Sequence, residues 1–278
     1  MTNISITKKS GELAPFDSEK LKQSLLRSGA SQSDADYVSE IVIDNIVNGM
    51  STHKVYRLAY QLLRKRSGKV AGRYRLKKAI FEMGPTGYPF ESFIGELIKL
   101  QGYSVETGVV LDGSCVTHEV DVYGNKKDKT VFVECKFHND VRKKSDVKVS
   151  LYVKSRFEDL KQKRLNQVDA NHIFEGWIVT NTRFTVDATQ FGSCAGLKLI
   201  SWDFPANGNL RQLIDSSGFH PITTMHSITN KEKAILLDKK IILCRQLDER
   251  KDILLRMGIP ERRIARIINE ANQIVDLK

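Results

Sequence analysis

The chain has 278 residues, 41% of them apolar, which is enough for two or three modest domains with ordinary cores and excludes a disordered or fibrous class. Lys and Arg number 44 against 33 Asp and Glu, a formal charge of +11, so DNA, RNA or an anionic membrane surface are the expected partners, and charge alone does not choose among them. No apolar stretch approaches the roughly 20 residues of a membrane span, and MTNISITKKSGE lacks the apolar core of a secretory signal, so no membrane partner and a cytoplasmic location are expected.

Residues 1–87 open on ITKKSGELAPF, a hairpin pattern turning at Ser10 and Gly11. Asp17 or Ser18 then caps a helix carrying Leu21, Leu25 and Leu26, and a second helix carries Val38, Ile41, Val42 and Ile46. Ser51 starts a third, with Val55, Leu58, Ala59, Leu62 and Leu63 on its apolar side. KVAGRYRLKKAIFEMG supplies a fourth, closed by Gly84 and Pro85.

Two pieces of this segment, ITKKSGELAPFDSEKLKQSL and VAGRYRLKKAI, resemble the opening hairpin and last helix of the ATP-cone, a nucleotide-binding module found in front of ribonucleotide reductases and in their repressor. The resemblance implies that Lys8, Lys9, Lys20, Arg73 and Tyr74 surround the triphosphate and base of ATP or dATP. No GxxxxGK[ST] loop is present, so a regulatory nucleotide is expected rather than P-loop hydrolysis.

Residues 88–212 begin with a helix carrying Phe90, Phe93, Ile94, Leu97 and Ile98, ended by Gly102. Strands follow in SVETGVVL and in the two halves of HEVDVYGNKKDKTVFVECK, then a helix through Val149, Tyr152, Val153 and Phe157. GWIVTNTRF and KLISW are two further strands, separated by a helix that TVDATQFG begins. The order helix, three strands, helix, strand, helix, strand predicts a central mixed sheet covered by helices. Residues 213–278 read as a helical tail, with Gly258 and Pro260 dividing its last two helices, serving stability, dimerisation or DNA contact. The expected fold is therefore multidomain α/β: a small, mostly helical module, a mixed sheet flanked by helices, and a helical tail.

The chemistry concentrates on three side chains. Asp121 in VDV and Glu134 in VFVECK are carboxylates in apolar strands, a costly placement unless they reach an open edge or a cation. Lys136, two residues beyond Glu134, shares its face on a strand. Two carboxylates and an ammonium are what metal-assisted cleavage of a phosphodiester requires, with Mg2+ (or Mn2+) neutralising the phosphate and activating water. Cys135 points inward as core; Cys115, Cys135, Cys194 and Cys244 lack zinc-site spacing and are expected as reduced thiols.

Across about 120 residues this segment resembles the PD-(D/E)xK nuclease superfamily, the restriction-endonuclease fold, and within it the Mrr-like restriction enzymes and archaeal Holliday-junction resolvases. The family's metal-binding Asp falls on Asp121, its E-x-K on Glu134 and Lys136, and its first-helix Glu on Glu91, with Glu96 as competitor. GWIVTNTRFTVDATQFGSCAGLKLISWD is similar to later Mrr-like strands, while Val120 replaces the proline of the PD motif, which is not a metal ligand. Glu119 is an outward neighbour or supports Asp121, and His118 is a local structural residue.

From Arg142 to Arg164 nine basic residues face three acidic ones, so Lys143, Lys148, Lys154 and Arg156, with Asn181 and Arg183, are the expected DNA contacts. The leading functional expectation is Mg2+-dependent endonucleolytic cleavage of DNA in restriction or defence, under nucleotide control and in a homodimer or higher oligomer. The alternatives are a non-cleaving DNA-binding or repair module controlled by nucleotide, and a junction resolvase.

Overall fold

The computed structural model describes residues 4–8 and 10–275. Strands β1 (Ser5–Thr7) and β2 (Leu13–Pro15) form the expected antiparallel hairpin, Ile6 opposite Ala14. Asp17 caps α1 (Ser18–Arg27) by accepting from the Lys20 N–H, and Ser31 caps α2 (Gln32–Asn45). A strand the sequence did not announce, β3 (Met50–Ser51), runs parallel to β1; two residues are too few to show alternation. Ser51 also caps α3 (Thr52–Arg66).

The expected fourth helix is two, α4 (Gly68–Tyr74) and α5 (Leu76–Phe81), broken at Arg75. The break separates two cores. Val70 and Ala71 pack with α1, α2 and α3, whereas Leu76, Ile80 and Met83 join the core of the sheet and tail. One straight helix could not present its apolar residues to both.

Next come α6 (Tyr88–Lys99), β4 (Ser104–Asp112), β5 (Thr117–Asn125), β6 (Lys129–Lys136), the short β7 (Lys144–Ser145), α7 (Val147–Arg164), β8 (Ile173–Thr180), β9 (Arg183–Phe184), α8 (Val186–Cys194) and β10 (Lys198–Ile200). The main sheet has the order β10-β8-β6-β5-β4. Strands β4, β5 and β6 form an antiparallel meander, and α7 and α8 are the crossovers that make β6, β8 and β10 parallel. This is the expected mixed sheet. Alternation sorts β6 cleanly: Val131, Val133 and Cys135 pack on the α6 side, and Phe132 packs with Phe157 and Leu160 of α7. On β8, Gly176 leaves room for α7, since a Cβ there would lie 2.8 Å from Cγ of Phe157.

The β4–β5 hairpin turns over midway. Val122 belongs to the α6-side core and Val120 to the α7-side core, although residues two apart on a regular strand share a face. Asp121 lies between them. Across the hairpin, Gly108 has φ of +63°, a conformation glycine adopts without steric cost. Pairing of β5 with β6 stops at Val122 opposite Val133, so the first half of β5 leaves the sheet with β4.

The tail starts earlier than its apolar pattern suggested, with α9 (Leu210–Ser217) closed at its N-terminus by a reciprocal Asn209–Gln212 capping box. Residue 212, the expected division, lies inside this helix. Then follow α10 (Asn230–Asp238), α11 (Gln246–Glu249), α12 (Lys251–Arg256) and α13 (Glu261–Val275). Ile264, Ile267, Ile268, Ala271 and Ile274 bury one stripe of α13 in the same core as Phe90, Val133 and Trp177. Carboxylate oxygens of Glu270 accept from the backbone N–H groups of His226 and Ser227, both at 2.8 Å. The guanidinium of Arg263 pairs with Glu232. Among the described residues no helix is long and apolar enough to cross a membrane.

Candidate active site

The overturned hairpin leaves a notch between β5 and β6, and the three singled-out side chains stand at it. Asp121 sits at the last point where the strands are adjacent, and its Oδ2 accepts the Cys135 N–H at 2.7 Å, a backbone donor that β5 no longer satisfies. Glu134 and Lys136 share one face of β6 as the two-residue period requires, with Nζ of Lys136 donating to Oε1 of Glu134 at 2.6 Å. The other oxygen of Glu134 is also taken: Nη1 of Arg156, from α7, donates to Oε2 at 2.7 Å.

Glu91, in the first turn of α6, is close enough to feel the charge of this group. Its carboxylate lies over Gly87, 3.0 Å from where a Cβ on that residue would stand. Burial first, then the charges of Asp121, Glu119 and Glu134, push the Glu91 carboxyl up to about 7, with Lys136 opposing. Burial and the charge of Glu134 likewise raise Asp121 to about 6, against the pull of the Cys135 N–H, Lys136 and Arg156. Glu96, the competitor of Glu91, is instead paired with Lys99 at 2.7 Å.

Among the described residues no three Asp, Glu, His or Cys side chains converge into a ready-made metal cage. The donor chemistry nevertheless fits a divalent cation. Burial and neighbouring carboxylates raise both Glu91 and Asp121, so added positive charge is favoured beside them, and Mg2+ characteristically takes one or two carboxylates and keeps water in its other positions. Each oxygen of Glu134 already accepts from one cation, Lys136 or Arg156, so a metal ion there shares the carboxylate with them or displaces one.

Burial and the surrounding carboxylates push the Cys135 thiol well above its usual range, and His138 turns its Nε2 to Ser145 at 3.2 Å, so neither forms a nucleophile pair. His118 is structural, as its context suggested. It meets Oδ2 of Asp159 at 2.8 Å, and Asp159 also accepts from the backbone N–H groups of Cys115 and Val116, fastening the β4–β5 turn to α7.

The expected DNA contacts divide. Arg156 is committed to Glu134, Lys154 to Glu158 at 2.6 Å and Arg183 to Asp203 at 2.6 Å. Asn181 is fully buried, and its side chain both accepts from the N–H and donates to the C=O of His138, bracing the loop after β6 rather than reaching outward. Lys143 and Lys148 are exposed and make no ion pair among the described residues. Charge reversal at either is expected to weaken DNA binding across sequences without altering thermal stability. Each Lys→Ala change is expected to reduce the slope of log affinity against log salt by about one. Fluorescence anisotropy over a salt series checks this.

The positions implied for nucleotide also separate. Lys8 pairs with Glu12 at 3.1 Å, Lys20 is 85% exposed beside Asp17, and Lys9 lies outside the described residues. Arg73 donates from Nε and Nη2 to the C=O of Ile274 in α13, and Tyr74 stacks on Tyr56 with centroids 5.1 Å apart. These two line the seam between the N-terminal helices and the rest of the chain, and Lys8 and Lys20 do not.

A mixed sheet with a carboxylate and lysine cluster where β5 parts from β6 defines this as a helix-flanked α/β protein with a polar site at that split. Residues 220–275 match a family model described as AF1548-like, C-terminal. An uncharacterized protein of Archaeoglobus fulgidus is 28% identical over 183 residues, which is 66% of this chain and 99% of that protein. The crystal structure of a protein of unknown function, AF1548, superposes with a TM-score of 0.56 at 26% identity, over 68% of this chain and 98% of that one. The two share a fold over that length. The MspJI restriction endonuclease in complex with a 27-mer oligonucleotide aligns with a TM-score of 0.32 and 13% identity, over 63% of this chain and 36% of that one, too slight a likeness to bear on fold or activity.

Proposed function

We propose that the protein is a metal-dependent endonuclease acting on DNA, in restriction or defence, with Asp121, Glu134 and Glu91 holding Mg2+ or Mn2+. The observation that carries this reading is the meeting of Asp121, held to the Cys135 N–H, with the Glu134–Lys136 pair where β5 parts from β6, with Glu91 near enough for their charges to raise its carboxyl. A divalent cation bound there supplies Lewis acidity toward a phosphate oxygen and lowers the pKa of a water. The chain's own groups do the rest. Lys136 brings an ammonium to the mouth of the notch, where it orients water and offsets charge on the phosphate. Lys143 and Lys148, on the segment that follows β6, hold the DNA backbone. Cutting both strands takes two such sites, which a homodimer or higher oligomer supplies. ATP or dATP bound by the N-terminal module is the proposed control.

Nicking of supercoiled plasmid tests the reading. The wild type is expected to nick with Mg2+ or Mn2+ and not with EDTA, and Asp121→Ala and Lys136→Ala are each expected to lose about 10²–10⁴-fold in rate. Equal rates in the variants would reject the assignment. Retention of DNA without product in either metal would instead identify a binding module.

A further inference from the structure

Between α1, α3 and α4 on one side and the β10–α9 region on the other lies a cleft of 280 Å³. Four cationic side chains converge on it from separate parts of the chain: Arg27, Arg73, Lys77 and Arg211. Arg27, Lys77 and Arg211 make no ion pair among the described residues, and Asp215 is the only carboxylate in the lining. Burial raises the Asp215 carboxyl to about 6 against Arg211 and Arg73, so near neutral pH it is mostly ionised and offsets one of the four cations, leaving the cleft positive. The walls are aromatic. Trp202 carries the ammonium of Lys77 5.5 Å from its ring centroid, and Tyr56 stacks on Tyr74. The hydroxyl of Tyr56 is buried with no hydrogen-bond partner, a costly state for a phenol that a ligand oxygen would relieve.

Excess positive charge selects an anion, and the aromatic walls select one that carries a flat ring. A volume at the small end of the ligand-pocket range selects a free small molecule over a duplex. We propose that this cleft binds a nucleoside phosphate, with the phosphates on Arg27, Lys77 and Arg211, the base against Trp202 and the Tyr56 hydroxyl as a donor. The site lies at the seam between modules, not at Lys8 of the hairpin or Lys20 of α1, and it stands whether or not the carboxylate notch cleaves DNA. Because its walls come from both sides of the break at Arg75, a bound ligand bridges the two cores.

Isothermal titration calorimetry of the full chain with the ribonucleoside triphosphates, their monophosphates, inorganic pyrophosphate and a short duplex tests this. A single saturable site for a nucleotide is expected, weakened at least about tenfold by Arg211→Glu or Lys77→Glu and unchanged by Lys8→Ala with Lys20→Ala. Tyr56→Phe is expected to weaken the nucleotide several-fold while raising the melting temperature of the ligand-free protein, an outcome that misfolding does not mimic. Three results overturn the proposal: no heat with any nucleotide, affinity lost through Lys8 and Lys20 but kept in the cleft variants, or cleft variants that lose only duplex binding.

Discussion

Asp121→Asn is expected to remove divalent-ion binding and, in the same protein, to increase stability at neutral pH. In the folded chain the Asp121 carboxyl titrates near 6, against 3.8 in the absence of its surroundings, so the native state holds a proton that the unfolded state releases. Stability from this group is therefore highest at acid pH and falls as pH rises between those two values. By about pH 7.5 the whole penalty is in place, on the order of 1–3 kcal/mol. Asparagine carries no charge to penalise, and its Oδ1 still accepts the Cys135 N–H. Glu91, raised from 4.5 to about 7, adds a second slope of the same sign over its own range. Urea unfolding with EDTA at about pH 5 and about pH 7.5 should show the variant's advantage growing with pH. Metal binding has the opposite linkage: an ion must displace these protons, so Mn2+ affinity of the wild type is expected to fall as pH drops below 7. A variant less stable than wild type by a pH-independent margin would mean that Asp121 is an ordinary structural acceptor.

The sheet was legible because its signals are local. Alternation in VFVECK puts Glu134 and Lys136 on one face and Cys135 on the other, and the order of α6, α7, α8 and the five main-sheet strands follows from periodicity and caps, whereas the two-residue β7, in a stretch that reads as a loop, and β9, at the end of GWIVTNTRF, do not show. The helix at 210–217 was equally available, from Asn209 and Gln212 at capping-box spacing around Leu210, Leu213 and Ile214. What stayed hidden depends on distant partners. Nothing near Arg156 distinguishes it from Lys148, yet only one of them faces a buried carboxylate 22 residues upstream. Glu91 and Glu96 are equivalent as helix carboxylates until Lys99 takes one of them. The turnover of β5 at Asp121 shows in sequence only as a glycine on the neighbouring strand, which could equally mark an ordinary bend.

Arg156 yields the second large effect, and it separates a structural cation from a DNA contact. Glu134 is 9% exposed and holds one cation on each oxygen, so it is a buried charge whose compensation comes from two directions. Arg156→Met keeps an aliphatic side chain of similar reach and removes the guanidinium, with its contact 5.1 Å from the Tyr152 ring centroid, leaving Lys136 alone against the carboxylate. The expected cost is roughly 2–4 kcal/mol at neutral pH, somewhat below that of an entirely unpaired buried charge because one partner survives. A phosphate contact behaves otherwise: its removal leaves stability alone and lowers the salt slope of DNA binding by about one. With divalent ions absent, Arg156→Met is expected to leave that slope unchanged, whereas Lys148→Ala lowers it. Mn2+ affinity supplies the third reading. Freed from the guanidinium, Oε2 of Glu134 is open to a cation, so the variant should bind Mn2+ at least as tightly as wild type despite its lower stability. Loss of Mn2+ binding together with stability would show that Arg156 shapes the notch rather than occupying a ligand's place in it.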